Sequence, residues 1–108
     1  MITVTFSYSE KKLNGFEIKG HSGYADVGQD VVCAAVSSAA YLTVNTITDV
    51  ICANCDQLVS DDGYMKIKVS NSDCDKCNDL FVGFKLHMLQ LSEQYSKFIK
   101  IIGGNTDA

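Results

Sequence analysis

The sequence predicts an α/β fold of two layers, in which two helices pack on a small antiparallel or mixed sheet. The chain has 108 residues, enough for one domain and too few for two separate cores. Several short segments alternate apolar with polar residues, as half-buried strands do. Two longer segments instead place their apolar residues at helical spacing. In chain order these segments give β-β-α-β-β-α-β, a single domain without an internal repeat or a linker.

The first two strands are predicted at residues 2–8 and 15–20. Apolar side chains occupy every second position of the first segment. In the second segment Phe16 and Ile18 alternate with charged residues, which places them on the inner face. The polar residues between the two segments are expected to form the turn of a hairpin.

A loop with three glycines, residues 20–30, leads into a helix predicted over residues 31–51. Asp30 suits the N-cap position, because its carboxylate could accept the backbone N–H of Cys33. Residues 31–48 include no charged side chain, so a short membrane span is an alternative. The serines, threonines and asparagine within this stretch, and the aspartates that flank it, argue against a span.

The second half of the chain is predicted to contain a hairpin of residues 56–60 and 64–70, with its turn at an Asp-Asp-Gly sequence. A second helix follows at about residues 77–97, and a short strand at residues 98–102. The apolar stripe of that helix consists of Leu80, Phe84, Met88, Leu91 and Tyr95. Residues 103–108, which begin with two glycines, are expected to be a disordered tail.

The amino-acid composition indicates which binding partners and which cellular compartment suit this protein. The net charge is −4, and all nine cationic residues are lysines. Nucleic-acid binding usually needs a basic stripe and arginine forks, so this composition argues against it and favours a basic partner. The opening sequence MITVTF resembles no secretion signal, which suggests a reducing cytoplasmic setting. In that setting the five cysteines are first interpreted as thiolates or metal ligands rather than disulfides.

Cys33 and His21 form a candidate nucleophile and base. Cys33 is predicted in the first turn of the helix, where the helix dipole and free N–H groups favour a thiolate and could hold an oxyanion. A glycine-containing loop separates it from His21, so the imidazole could fold back over the thiol and exchange its proton. The alternative is a buried structural cysteine beside an unrelated turn histidine.

The local sequence also resembles a known family signature. Gly-His-Ser-Gly-Tyr-Ala at residues 20–25 is followed by Gly-Gln-Asp-Val-Val-Cys-Ala-Ala-Val-Ser at residues 28–37. Together these segments resemble the signature of the ribosomal-processing cysteine protease family, Prp. The resemblance is unbroken over about eighteen residues, and elsewhere only the order of strands and helices fits.

The resemblance implies a cytoplasmic thiol protease that acts in ribosome biogenesis. It would cut after a phenylalanine to remove the N-terminal extension of a basic precursor, large-subunit ribosomal protein twenty-seven. The family nucleophile falls on Cys33 and the general base on His21. A homodimer is implied, without a catalytic cofactor and without direct contact to nucleic acid or membrane. The glycines of the loop would make it a mobile lid; they are Gly20, Gly23 and Gly28.

Two further residues could support the catalytic pair. Asp30 could orient His21 or only cap the helix, and the N-cap position accounts for it without catalysis. Ser37 lies one helical turn beyond Cys33, where it could donate to the thiolate or to substrate, or provide space for the lid.

The remaining cysteines form two CxxC pairs on either side of the second hairpin, which are Cys52 with Cys55 and Cys74 with Cys77. The topology places both pairs at the same end of that hairpin, where four thiolates could hold a structural Zn²⁺. The family signature does not contain these pairs. Free thiols, a redox pair or a disulfide are the alternatives.

Three classes of function therefore remain open. The leading one is a cysteine endopeptidase, and the second is a non-enzymatic, possibly zinc-stabilised module that binds a ribosomal or other basic partner. A thiol oxidoreductase is less favoured, because Cys52 is expected at the C-terminal end of a helix, where the dipole opposes a thiolate.

Overall fold

A computed structural model describes residues 1–26 and 28–104 of the chain. The strands are β1 (Ile2–Ser9), β2 (Lys12–Lys19), β3 (Cys55–Asp61), β4 (Tyr64–Val69) and β5 (Ile99–Ile102), and the helices are α1 (Val31–Asn45) and α2 (Cys74–Gln94). A π-helical turn, Thr46–Ile51, continues α1, and a 3₁₀ turn, Asn71–Asp73, precedes α2. The predicted element order and two-layer α/β class are confirmed.

The five strands form one mixed sheet in the order β3-β4-β2-β1-β5. The pairs β1–β2, β2–β4 and β3–β4 are antiparallel, whereas β1 and β5 are parallel. The chain therefore returns through α2 to add its last strand beside its first. Both helices pack on the sheet, and this places the N-terminus of α1 next to the end of β2.

The turn between β1 and β2 is tighter than predicted. Ser9 pairs with Lys12, so Glu10 and Lys11 alone form the turn, with φ angles of 51° and 70°. Two left-handed residues match the twist of a two-residue hairpin, although glycine and asparagine usually fill these positions. The predicted start of β2 at residue 15 was thus wrong by three residues, and Leu13 is buried in the core.

Phenylalanine side chains form the centre of the core between the sheet and α2. Phe16 stacks on Phe84 with ring centroids 4.3 Å apart, and it meets Phe81 edge-on at 6.2 Å. Helix α2 begins at Cys74 rather than residue 77, and Phe81, which the predicted stripe omitted, is fully buried. The stripe correctly included Phe84 and Met88.

The apolar segment raised as a membrane alternative forms part of this core. Residues 31–51 are long and apolar enough to span a bilayer by length and composition alone, with 28% of the best window buried. The buried side chains of this segment are Val32, Val36, Ala40, Thr43 and Ile47. Part of the apolar surface of this segment is therefore buried within the domain.

The two glycines after β5 contact the rest of the domain. The Tyr8 hydroxyl donates to the carbonyl of Gly103 at 2.6 Å. Gly104 lies against the side chains of Ile101 and Leu89. Residues 103–104 of the predicted tail thus contact the domain, and its remainder, residues 105–108, lies outside the described residues.

Candidate active site

Cys33 lies in the first turn of α1 and is half-buried. Its backbone N–H donates to Oδ1 of Asp30 at 2.9 Å, so Asp30 is the N-cap that the sequence predicted. This bond satisfies one of the N–H groups that a helix N-terminus otherwise leaves without a partner. The cap also fixes the start of α1, and with it the position of the Cys33 side chain.

His21 lies two residues after the end of β2 and is half-exposed, with 56% of its side chain accessible. The turn between β3 and β4 packs against its ring. The Gly20 N–H donates to the Gly63 carbonyl at 2.8 Å, and a Cβ added to Gly63 would lie 2.9 Å from His21 Nε2. Oδ1 of Asp62 is 3.9 Å from the same nitrogen. Sequence analysis recognised this Asp-Asp-Gly segment as a turn but missed its position beside the imidazole.

Two clefts meet at this pair, with volumes of about 380 and 340 Å³. Cys33, His21 and Ser37 line both of them. The larger cleft has an apolar floor made by Ile2, Ile18, Val36, Ala40 and Met65, and the β3–β4 turn forms its far wall. The smaller one is lined by the loop and the helix start, namely Gly23, Ala25, Gly28, Asp30 and Ala34. A peptide in an extended conformation could therefore pass over the Cys33 thiol. The residues before the scissile bond would then lie in one cleft and those after it in the other.

The loop between β2 and α1 is folded against the domain at its described residues. Tyr24 packs edge-on against Tyr95 and Phe98, with centroid distances of 5.9 and 5.3 Å. The three loop glycines all adopt left-handed backbone angles, with φ of 92° at Gly20, 75° at Gly23 and 90° at Gly28. Residues other than glycine rarely adopt such backbone angles. Opening of the loop as a lid stays a prediction.

Asp30 ties the loop to the helix. Its Oδ2 accepts hydrogen bonds from the Ser22 hydroxyl and from the Ala25 N–H at 3.4 Å. Burial alone would raise the pKa of Asp30, but the hydrogen bonds from Ser22, Cys33 and Ala25 outweigh it and lower the pKa from 3.8 to about 2. Within the described residues, these bonds go to the loop and the cap rather than to His21. The geometry therefore supports capping by Asp30 over orientation of the base.

The donors around the sulfur differ from those that the sequence suggested. The Cys33 N–H is occupied by Asp30 Oδ1, and the Ala34 N–H by the Asp30 carbonyl at 3.0 Å. In contrast, the backbone N–H of Ser22 points to Cys33 Sγ at 3.3 Å. Sequence analysis missed this donor, because an irregular loop gives no periodic signal of where its amides point. Ser37 is exposed at the junction of the clefts.

The four other cysteines lie at one end of the β3–β4 hairpin, as predicted: Cys55 begins β3 opposite Val69, while Cys74 and Cys77 lie in the first turn of α2. Burial raises the pKa of each of these three thiols. Cys52 is exposed, and its thiol donates to the Asp49 carbonyl at 3.7 Å. Within residues 1–26 and 28–104, no three potential ligands are placed to hold a metal ion. A zinc site formed by the four outer cysteines stays a prediction.

Comparison with known proteins gives consistent matches. The family model described as cysteine protease Prp matches residues 1–100. The ribosomal processing cysteine protease Prp of Bacillus subtilis (strain 168) is 40% identical over 48 residues. That alignment covers 44% of this chain and spans less than half, 43%, of the relative.

Solved structures share the fold over nearly the whole chain. The essential ribosomal processing protease Prp from S. aureus, solved with a covalently linked product peptide, superimposes with a TM-score of 0.85 at 24% identity. The superposition covers 94% of this chain and 98% of the S. aureus chain. SMU.848 from Streptococcus mutans is 34% identical, with a TM-score of 0.75 and 94% of both chains covered.

Proposed function

The chain belongs to the cysteine protease Prp family, and on this basis we propose that it is a cysteine endopeptidase that processes a ribosomal protein precursor. Its substrate is the N-terminally extended form of large-subunit ribosomal protein twenty-seven. One observation carries the proposal: Cys33 and His21, which lie twelve residues apart in the sequence, line the same two clefts at their junction. Cys33 is the nucleophile, and His21 is the general base.

The first step, acylation of Cys33, cleaves the peptide bond. The Cys33 thiol passes its proton to His21, and the sulfur attacks the carbonyl carbon of the scissile bond to form a C–S bond. The tetrahedral intermediate then collapses, and the C–N bond breaks. His21 returns the proton to the departing amine, which leaves as the new N-terminus of the ribosomal protein. The extension remains attached to Cys33 as a thioester.

Deacylation restores the enzyme. His21 removes a proton from water, and the resulting hydroxide attacks the thioester carbonyl. The C–S bond breaks, and the His21 imidazolium returns the proton to the sulfur, which restores the thiol. The extension leaves as a carboxylic acid, which releases its proton to the solvent. The exposed imidazole edge and the open clefts admit the water that this step requires.

The surroundings of the pair suit an apolar cleavage segment in a basic precursor. The floor of the larger cleft is apolar, and Asp61 and Asp62 lie at its far wall. The net charge of −4 adds long-range attraction for a basic substrate. The S. aureus relative has been solved with a substrate peptide as well as with a product peptide. We therefore place the substrate chain across both clefts.

A cleavage assay tests this function. The wild type and Cys33→Ser are mixed with the extended ribosomal protein, and the products are identified by mass spectrometry. Cleavage at one site by the wild type only is expected. Cys52→Ser is the matched control, because Cys52 is an exposed thiol that lines neither cleft. This variant should cleave like the wild type.

A binding module is the alternative that the same assay detects. Failure of the folded, reduced wild type to cleave the precursor would contradict the protease function. Binding of the uncleaved precursor by both the wild type and Cys33→Ser would then assign the chain to the class of non-enzymatic modules.

A homodimer in the cytoplasm completes the proposal. A groove of about 620 Å³ separates α1 from α2, and Leu42, which lines it, is 68% exposed. An exposed apolar surface of this kind suits a subunit contact. Sedimentation should give a dimer for the wild type and a monomer for Leu42→Asp. Leu86→Asp is the control, because Leu86 is exposed but does not line the groove. A monomeric wild type would contradict the dimer.

The proposed chemistry uses only side chains of this chain and no cofactor. A structural zinc at the four outer cysteines stays a separate prediction. Elemental analysis of the purified protein decides it, since four thiolates would bind one zinc per chain and leave no open coordination position. If the purified protein contains no zinc and unfolds identically with and without a chelator, the zinc prediction is wrong.

A further inference from the structure

Ser22 lies between the two members of the proposed catalytic pair in the chain, and both its hydroxyl and its backbone N–H make hydrogen bonds. It is the residue after His21 and is only 3% exposed. Its hydroxyl donates to Asp30 Oδ2 and accepts the Tyr24 N–H at 3.0 Å. Its backbone N–H donates to Cys33 Sγ at 3.3 Å. A buried serine that uses its hydroxyl for one contact and its amide for another holds the loop in a single position.

Asp30 connects this loop to the thiol. One carboxylate oxygen binds the Ser22 hydroxyl, and the other binds the Cys33 N–H at 2.9 Å. The amide of residue 22 and the sulfur of residue 33 are thus held by the same carboxylate. A hydrogen bond donated to a sulfur atom stabilises its thiolate form.

We propose that Ser22 is a positioning residue for Cys33: its hydroxyl, fixed to Asp30, holds its own backbone N–H against the sulfur and thereby favours the thiolate. The catalytic consequence rests on the proposed protease function, whereas the effect on the thiol does not. Loss of the hydroxyl releases the amide, so Cys33 becomes nucleophilic only at higher pH. The other titratable groups that line the two clefts are His21, Asp30, Tyr41, Asp61, Asp62 and Tyr64.

Alkylation of Cys33 by iodoacetamide, followed at each pH by mass-spectrometric peptide mapping, measures this effect without any substrate. Ser22→Ala should move the midpoint of the Cys33 profile to higher pH and lower its rate near neutrality by about three- to tenfold, as expected for one hydrogen bond. Cys52 is the internal reference, since it is exposed and distant in sequence from the loop. Its profile should not change.

Two further variants separate positioning from general damage. Ser22→Thr keeps the hydroxyl and should retain a profile close to that of the wild type. Ser92→Ala removes a hydroxyl that bonds only to the Leu89 carbonyl within α2, and it should leave the profile unchanged. An unchanged Cys33 profile in folded Ser22→Ala overturns the proposal, whether or not the protein cleaves the ribosomal precursor.

The wild type itself provides a second test if Ser22→Ala does not fold. The amide resonance of Ser22 should titrate with the same pH midpoint as the alkylation of Cys33, and this titration should vanish in Cys33→Ala. An amide that does not respond to pH over that range would show that it does not donate to the sulfur, and the proposal would be wrong. Slower cleavage by Ser22→Ala with an unshifted alkylation profile would likewise assign the serine a structural role only.

Discussion

At the scale of single residues, Gly63 decides how close the β3–β4 turn comes to His21. A methyl group at this position would lie 2.9 Å from Nε2, and its φ of 67° is left-handed. Gly63→Ala should therefore displace the imidazole and lower kcat/KM for the precursor by at least tenfold. It should also reduce the free energy of unfolding by about 1–2 kcal/mol through backbone strain. Steady-state cleavage and urea unfolding measure the two effects.

Gly23→Ala separates strain from contact in this prediction. Its φ is 75°, and a methyl group there would meet no atom within 4 Å. The two variants should lose similar stability, whereas the imidazole is displaced only in Gly63→Ala. The ring position can be followed by the His21 resonances. An unmoved His21 signal in folded Gly63→Ala would contradict the close packing described here.

Some residues of the candidate site could be predicted from the sequence and others could not. Cys33, His21 and the cap Asp30 lie within one local segment, so their relation was readable from spacing and from the family signature. Asp62 and Gly63 reach His21 only because β4 pairs with β2, and pairing between distant strands leaves no local signal. The Ser22 amide was missed for a related reason, since its direction depends on the hydrogen bonds of its hydroxyl.

At the scale of elements, α2 depends on a residue outside its predicted stripe. Phe81 is fully buried and packs edge-on against Phe16, whereas Leu80, which the stripe included, is only partly buried. Phe81→Ala should lower the free energy of unfolding by about 3–5 kcal/mol, as large-to-small changes at buried aromatic positions do. Leu80→Ala should cost less than half as much. Equal losses in chemical denaturation would mean that α2 is rotated from the orientation described.

The elements that were predicted with errors share a physical cause. Helical spacing identified α2, but positions 80, 81 and 84 lie on adjacent parts of one face, and packing against Phe16 determines which of them is deepest. The start of β2 was missed because Glu10 and Lys11 carry no turn signature, although both adopt left-handed angles. Strand alternation located β1 and β4 more accurately, since half-buried strands repeat every two residues.

At the scale of the whole molecule, the element order followed from the sequence and the strand order did not. Local patterns gave β-β-α-β-β-α-β, and the hairpins followed from short connections. The parallel pairing of β1 with β5 joins the two ends of the domain, and the pairing of β2 with β4 spans α1. These contacts place both clefts beside Cys33, so the clefts could not be derived from local sequence.

Stability toward acid is a property of the whole domain to which Asp30 contributes. Its pKa is about 2 in the folded protein against an ordinary value of 3.8, so the folded state favours the carboxylate. A lowered folded-state pKa contributes stability that is fully present above about pH 4 and is lost as the pH falls toward 2. Asp30→Asn lacks this contribution. The stability difference between the wild type and Asp30→Asn should therefore be largest at neutral pH and should shrink over that acidic window.

Urea unfolding at a series of pH values measures this difference. Asp73, whose pKa is lowered chiefly by the Asn54 N–H, weakens the wild type and Asp30→Asn alike in acid, so its effect cancels in the comparison. Asp26→Asn is the matched control, because Asp26 is an exposed carboxylate in the same loop. A wild type that exceeds Asp30→Asn by the same margin at pH 2 and pH 7 would mean that Asp30 stabilises the cap through geometry alone. Its charge, and with it the acid sensitivity of the loop over the active site, would then play no part.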